Sequence, residues 1–252
     1  PPSERQESAR DLVRQRESCT TDLGRARHRL GKFLIRRHLY HGGKSSWTQA
    51  HTKWLNGLSF ENEVDKLVFR DLFDQVQHQT QRKEQLTRAL EELATHEPYR
   101  EPVGWLRCFR GIDTVTAVTI VAELFDFERF DSPKKLMAYL GLTPSEHTSG
   151  TVRRGGITRA GNRRVRCALV EAAHHSGHPF RIGYALRARR ANQPPEVIAL
   201  ADRAMRRQHA VFWRLMNRGK HRNVAITAVA RDLAGFIWAL LHPQAGVMAK
   251  AN

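Results

Sequence analysis

The stretch that decides the fold runs from residue 132 to residue 166 and reads SPKKLMAYLGLTPSEHTSGTVRRGGITRAGNRRVR. Ser132-Pro133 is typical of a helix start, because serine caps the first amides and proline fits the first helical position. Gly141 predicts the end of that helix. The glycine-punctuated basic segment Thr143–Ala160 predicts a loop, and a further helix is expected to begin near Gly161.

The rest of the chain also predicts helices, because apolar residues recur at helical spacing and no segment alternates convincingly with period two. The predicted fold class is therefore all-α, a long arm of antiparallel helices followed by a compact helical domain. Ser46 is expected to cap the second helix. The predicted helices cover Ser8–Leu39, Trp47–Leu58, Phe60–His96, Trp105–Arg110, Thr114–Phe125, Ser132–Tyr139, Gly161–Ser176, Pro195–Asn217 and Asn223–Leu241.

A domain boundary is predicted where two prolines, Pro98 and Pro102, follow the long helix. Proline lacks the amide donor and fixes φ, so a helix rarely continues through such a segment. The sequence accordingly predicts a helical arm at residues 1–97, a compact domain at 98–243 and a loose tail at 244–252.

The chain is strongly basic, with 42 Lys and Arg against 25 Asp and Glu and a formal charge of +17. Two stretches carry no acid: Leu23–Phe60 has eight basic residues and His147–Val170 has six arginines. A charge run is usually a solvated face, but runs of this length favour contact with a polyanion. Nucleic acid is the expected partner, and no membrane contact is expected.

Cysteine usage and the N-terminus give the expected compartment. The three cysteines form no CxxC pair, and the first residues lack the apolar core of a signal peptide. We expect a soluble, cytoplasmic protein. The histidines His174, His175 and His178 cluster without a neighbouring carboxylate or cysteine, so no metal site is expected.

Residues 105–117, WLRCFRGIDTVTA, resemble a helix-hairpin-helix, in which a glycine turn aims helix amides at a phosphate. Gly111 and Thr116 are the candidate nucleic-acid contacts. Asp113 stands where such motifs usually have a second glycine. The alternative is that Asp113 or Thr114 simply caps the following helix, and the residues leave both interpretations open.

Ser149 lies in the predicted basic loop beside Gly150. A Ser-Gly pair by itself is typical of a turn. A hydroxyl among cations could also attack a phosphate, since positive charge lowers its pKa and stabilises the attacked group. We expect Ser149 on the surface, with at least two arginines close enough to share one phosphate with it, from among Arg153, Arg154, Arg159, Arg163 and Arg164.

The run from Gly111 to Ala173 resembles the C-terminal domain of insertion-sequence 110 family transposases, which are relatives of the Piv-type DNA invertases. The features that carry the resemblance are GLTP at 141–144, Ser149-Gly150 and the helix start GNR at 161–163. Residues 9–17, 29–34 and 47–51 resemble the helical linker of the family, and Ala225–Leu241 resembles its closing helix. The resemblance therefore covers nearly the whole chain.

The resemblance implies a DNA recombinase in which Ser149 attacks a DNA phosphate and becomes covalently linked to it. It further implies a bacterial protein that associates with the nucleoid when it acts, a structured guide RNA, and Mg²⁺ held by four acidic residues of an N-terminal RuvC-like domain. The arm at residues 1–97 is interpreted either as a helical spacer or as a segment for self-association or RNA binding, because its two long helices carry apolar residues at both ends. A homo-oligomer is the expected state. No cofactor is expected on this chain itself. The nucleic-acid-binding residues it suggests, besides Gly111 and Thr116, are Arg153, Arg154, Arg159, Arg163, Arg164 and Arg166.

Since the first residues already resemble the linker, the RuvC-like domain is expected to be missing and the chain to be a fragment that does not cleave DNA alone. Its own acids in this region are interpreted as caps and solvated positions: Asp113, Glu123, Asp126, Glu128 and Asp131. The alternative function is a non-enzymatic DNA- or RNA-binding module that uses the hairpin-like turn and the arginine loop as an anchor.

Overall fold

A computed structural model describes residues 3–149 and 151–242, and it excludes the side chains of residues 146–149 and 151–154. The described chain is built almost wholly of helices, which confirms the all-α prediction. They are α1 Glu4–Ile35, α2 Gln49–Asn56, α3 Glu63–Leu93, α4 Arg100–Leu106, α5 Thr114–Leu124, α6 Pro133–Tyr139, α7 Arg163–Ala173, α8 Tyr184–Arg190, α9 Pro195–Asn217 and α10 Arg222–Leu241.

Three local predictions need correction. The predicted loop Thr143–Ala160 contains two antiparallel strands, β1 Pro144–Ser149 and β2 Thr151–Ile157. Both strands are polar and glycine-containing, so the apolar alternation that signals a half-buried strand is absent from the sequence. Thr48, rather than Ser46, caps α2 by accepting from the amide of His51 at 3.3 Å. The short helix α8 was not predicted.

The chain divides into two compact units. The core unit takes the chain up to Val13 and again from Leu90, and the arm unit is Arg14–Ala89. Residues 90–97 and the first helical turns, which the sequence places in the arm, thus group with the core unit. The predicted tail at 244–252 lies outside the described residues.

The core unit is organised around α10, which packs against α4, α6, α7 and α9, while α5 belongs to the same apolar core. Eight residues of α10 are buried, including Ile226, Leu233 and Ile237. The length and composition of α10 would also suit a membrane span. Its burial against these helices accounts for that composition as the centre of a core.

The arm unit is an antiparallel pair of long helices with α2 packed on one end. Arg16 of α1 donates to Thr87 of α3 at 3.0 Å, and Arg29 donates to Gln75 at 3.0 Å, so the two helices run in opposite directions. Their buried cluster consists of Leu23, Ala26, Leu30, Phe33, Leu34, Leu55, Phe69, Phe73 and Val76.

Candidate nucleic-acid interface

The strands β1 and β2 form a hairpin that contains Ser149. The register pairs Ser149 with Thr151 and His147 with Arg153, so Ser149 is the last residue of β1 before the turn. A register shift between Pro144 and Glu146 marks a bulge at the base. The candidate nucleophile therefore lies at the tip of an ordered strand pair rather than in the predicted loop.

Main-chain hydrogen bonds close the base of the hairpin. The amides of Thr158 and Arg159 donate to the carbonyls of Thr143 and Gly141 at 2.9 and 3.2 Å, and the amide of Asn162 donates to Tyr139 at 3.1 Å. These bonds hold the two ends of the hairpin together independently of its tip.

Two glycines allow this close crossing of the chain. Gly141 and Gly161 have φ of +64° and +72°, a region that residues with a Cβ rarely adopt. A Cβ on Gly161 would lie 1.8 Å from the Tyr139 carbonyl oxygen, and one on Gly141 would lie 2.2 Å from the Ala160 oxygen. Glycine at both positions is thus a steric requirement of the hairpin base.

Arg166, a predicted nucleic-acid contact, does not face solvent in the described structure. Its side chain is buried, and its guanidinium donates to the carbonyls of Leu140 and Ala160 at 2.8 and 3.0 Å. The arginine therefore satisfies main-chain acceptors on both sides of the hairpin base, where a buried carbonyl without a donor would be costly. Its role is to position the hairpin.

Glu123 is not a solvated acid, as the sequence suggested, because it is only 3% exposed. Its carboxylate accepts from the side-chain amide of Asn162 at 2.9 Å and lies 3.9 Å from Nε of Arg164. Asn162 in turn caps α7 by accepting from the amide of Val165 at 3.0 Å. Glu123 consequently ties α5 to the start of α7, directly after the hairpin.

The remaining arginines of the acid-free run differ in their exposure to solvent. Arg159 and Arg163 are exposed beside the hairpin base, and Arg164 is half-buried near Glu123. The side chains of Ser149, Arg153 and Arg154 lie outside the described residues. The expectation that Ser149 shares one phosphate with two of these arginines therefore stays a prediction.

The segment that resembles a helix-hairpin-helix does join two helices, α4 and α5, through a tight turn. Asp113 caps α5, since its carboxylate accepts from the amide of Thr116 at 2.8 Å. The capping alternative is thereby confirmed. Gly111, with φ of +83°, packs against α7, where a Cβ would lie 2.5 Å from the Ala172 carbonyl oxygen. The Asp113 carboxylate thus already accepts an amide that a phosphate at this helix start would use, and the contacts assigned to Gly111 and Thr116 stay predictions.

A cluster of arginines around this turn was missed by sequence analysis. Arg189 of α8 donates to the Ile112 carbonyl at 2.6 Å. Arg190 donates to the main-chain carbonyl of Cys108 at 3.0 Å and forms an ion pair with Asp202 at 2.7 Å. Burial raises the pKa of the Cys108 thiol. The run RARR at 187–190 was the available signal, but a basic run does not reveal that two of its members point inward.

Comparison with known proteins identifies the part of the chain that contains this site. Residues 105–181, from α4 through the hairpin and α7, match the family described as Transposase IS116/IS110/IS902 family. This segment is similar to that transposase family, and we call it the family segment. It includes Ser149, the capped turn and the six arginines of the acid-free run, but not the arginines of α8.

Relatives extend the similarity beyond the family segment. The chain is 38% identical over 240 residues to a putative transposase, y4qE, of Sinorhizobium fredii, which covers 95% of this chain and 58% of the relative. It is also 35% identical over 222 residues to the transposase for insertion sequence element IS1533 of Leptospira borgpetersenii. That match covers 87% of this chain and 64% of the relative. The chain therefore spans less than two thirds of the length of these transposases.

Among the described residues, no three His, Cys, Asp or Glu side chains come close enough to share a metal ion. The Mg²⁺ that the family resemblance implies for a full-length enzyme thus finds no set of ligands in this part of the chain.

Proposed function

We propose that this chain is the DNA-binding and serine-nucleophile part of an insertion-sequence transposase, acting with a structured guide RNA and as a homo-oligomer. The observation that carries the proposal is Ser149 at the tip of a hairpin within the family segment, in a stretch with six arginines and no acid. The transposase names of the two relatives support the same conclusion.

In the proposed reaction the Ser149 hydroxyl loses its proton and its oxygen forms a bond to a DNA phosphorus. The bond from that phosphorus to one sugar oxygen breaks, and the departing oxygen takes up a proton. In the proposal, Arg153 and Arg154 of β2 supply the positive charge that stabilises the non-bridging oxygens of the attacked phosphate. Mg²⁺, expected for the full-length family enzyme, would be held elsewhere in the protein.

The hairpin base suits this role because it fixes both ends of the strand pair. Arg166 and the main-chain bonds from residues 158, 159 and 162 hold the base, and Glu123 anchors the helix that follows. Attack on phosphorus requires a placed nucleophile more than it requires covalent help. In this proposal, the fixed hairpin base places the Ser149 hydroxyl at the tip for attack.

A second candidate function is a non-enzymatic nucleic-acid-binding module. The acid-free stretch with six arginines favours it, because phosphate contacts by arginines need no nucleophile. On this alternative, the hairpin arginines would bind nucleic acid and the Ser149 hydroxyl would be dispensable.

The deciding experiment joins this chain to the N-terminal part of a relative such as y4qE and supplies Mg²⁺ and the matching DNA and RNA. We expect a covalent protein–DNA adduct, visible in a denaturing gel, that Ser149→Ala abolishes while DNA affinity changes less than about threefold. Thr148→Ala is the matched control and should keep the adduct. An adduct that survives Ser149→Ala would leave only the binding-module function.

A further inference from the structure

A cleft of about 480 Å³ lies between the turn at residues 110–113 and α8, and we name it the turn cleft. It is separate from the hairpin. Three arginines line it, Arg110, Arg181 and Arg189, together with the exposed histidine His175. Asp113 is the acidic residue in its wall, and its carboxylate already accepts the Thr116 amide.

Two of these arginines are held in place by the main chain. Arg110 donates to the carbonyls of His178 and Pro179 at 3.0 Å each, and Arg189 donates to Ile112 at 2.6 Å. The Nε of Arg189 is buried and has no hydrogen-bond partner among the described residues. A buried guanidinium donor without an acceptor is costly. Arg110 also donates to the Arg181 carbonyl at 2.5 Å, so main-chain bonds fix its guanidinium at the cleft wall.

Positive charge at the turn cleft exceeds the negative charge that the described side chains supply. Burial lowers the pKa of Arg189, and the nearby charge of Arg107 lowers it further. Burial likewise lowers the pKa of Arg110, and Arg190 adds to that effect. Like charges gathered in a partly buried place are stabilised when an anion joins them.

Tyr184 gives the rim of the cleft a second property. It begins α8 and is 88% exposed, the most exposed large apolar or aromatic side chain among the described residues. An aromatic ring beside guanidinium groups is the arrangement with which proteins bind single-stranded nucleic acid, because bases stack on the ring while phosphates contact the cations.

We propose that the turn cleft binds one phosphodiester of a nucleic-acid strand at Arg110, Arg181 and Arg189, with the adjacent unpaired base stacked on Tyr184. The site takes an unpaired stretch in preference to a duplex, since a paired base has no free face to offer. It rests on the proposed function only for its ligand class and does not involve Ser149.

The test compares single-stranded and duplex DNA of one sequence by fluorescence anisotropy with the whole chain. Arg110 and Arg189 are left unchanged because they hold the main chain. Tyr184→Ala should weaken single-strand binding by about fivefold to a hundredfold, with duplex affinity changed less than twofold. Tyr184→Phe should bind as the unchanged protein does.

Arg181→Glu is compared with Lys134→Glu, an equal change of charge at an exposed position of α6 outside the cleft. Arg181→Glu should weaken single-strand binding at least fivefold more than Lys134→Glu. Equal effects of the two variants, or no loss with Tyr184→Ala, would overturn the turn-cleft site.

Arg159→Glu, at the hairpin, distinguishes the two proposals. If it weakens binding while the cleft variants do not, only the turn-cleft site fails. If the unchanged chain binds neither DNA, the proposed function fails as well.

Discussion

Individual residues in this protein often serve the scaffold where their type suggests ligand contact. Arg166 is the clearest case, because a side chain taken from an arginine-rich run is used to satisfy two carbonyls at the hairpin base. Glu123 is the acidic counterpart, buried against Asn162. Both residues hold the base of the hairpin whose tip carries Ser149.

Gly161 provides a test of that base. Gly161→Ala places a Cβ 1.8 Å from the Tyr139 carbonyl oxygen at a positive φ, so the crossing must open. We expect a loss of about 2 kcal/mol or more in the free energy of unfolding, measured by urea denaturation.

The matched control for that variant is Gly156→Ala, in the same hairpin, where a Cβ meets nothing within 4 Å. Its effect should stay below about 1 kcal/mol. Equal stability of the two variants would contradict the steric role assigned to Gly161.

Secondary structure could be predicted from the sequence where a local signal exists. Ser132-Pro133 marks the start of α6, and Pro195 begins α9 as expected. The hairpin could not be predicted in this way, because its strands are held by main-chain bonds and carry no apolar alternation. The burial of Glu123 depends on Asn162, 39 positions along the chain, and no local pattern reports such a contact.

At the scale of elements, α3 of the arm unit has an apolar face without a partner in the described chain. Val64, Leu67 and Val68 share one side of the helix at helical spacing, and Leu67 is 68% exposed. Apolar side chains at this spacing are typical of a helix that packs against another helix. A second copy of the chain would cover this face if the protein forms the proposed homo-oligomer.

We therefore expect Leu67→Glu to shift the protein towards the monomer in light scattering at high concentration. Burying a new charge in an apolar contact is unfavourable, so association should weaken at least tenfold. Gln85→Glu adds the same charge at an exposed position of α3 and should leave the mass unchanged. A monomeric unchanged protein, or identical masses for both variants, would argue against association through this face.

At the scale of the whole molecule, the net charge of +17 is the dominant property. It is concentrated in acid-free runs within both the arm unit and the family segment. Such a charge raises the rate of encounter with any polyanion and makes affinity depend on the salt concentration.

We expect duplex DNA affinity to fall by about a thousandfold or more between 50 and 200 mM salt if six to ten phosphates are contacted. Titration of labelled duplex DNA and structured RNA across this range measures the slope. Affinity that hardly changes with salt would show that phosphate contacts do not dominate binding.

The closed base of the hairpin bears on how this domain can diversify. Since the carbonyls of Tyr139, Gly141 and Thr143 accept from the returning chain, main-chain bonds fix the two ends of the strand pair. Residues between them can be lengthened, shortened or exchanged at small thermodynamic cost, because the entropy of closing a loop grows slowly with its length. Descendants of one scaffold can thus acquire different tips without refolding, and a foreign segment grafted there would be tolerated.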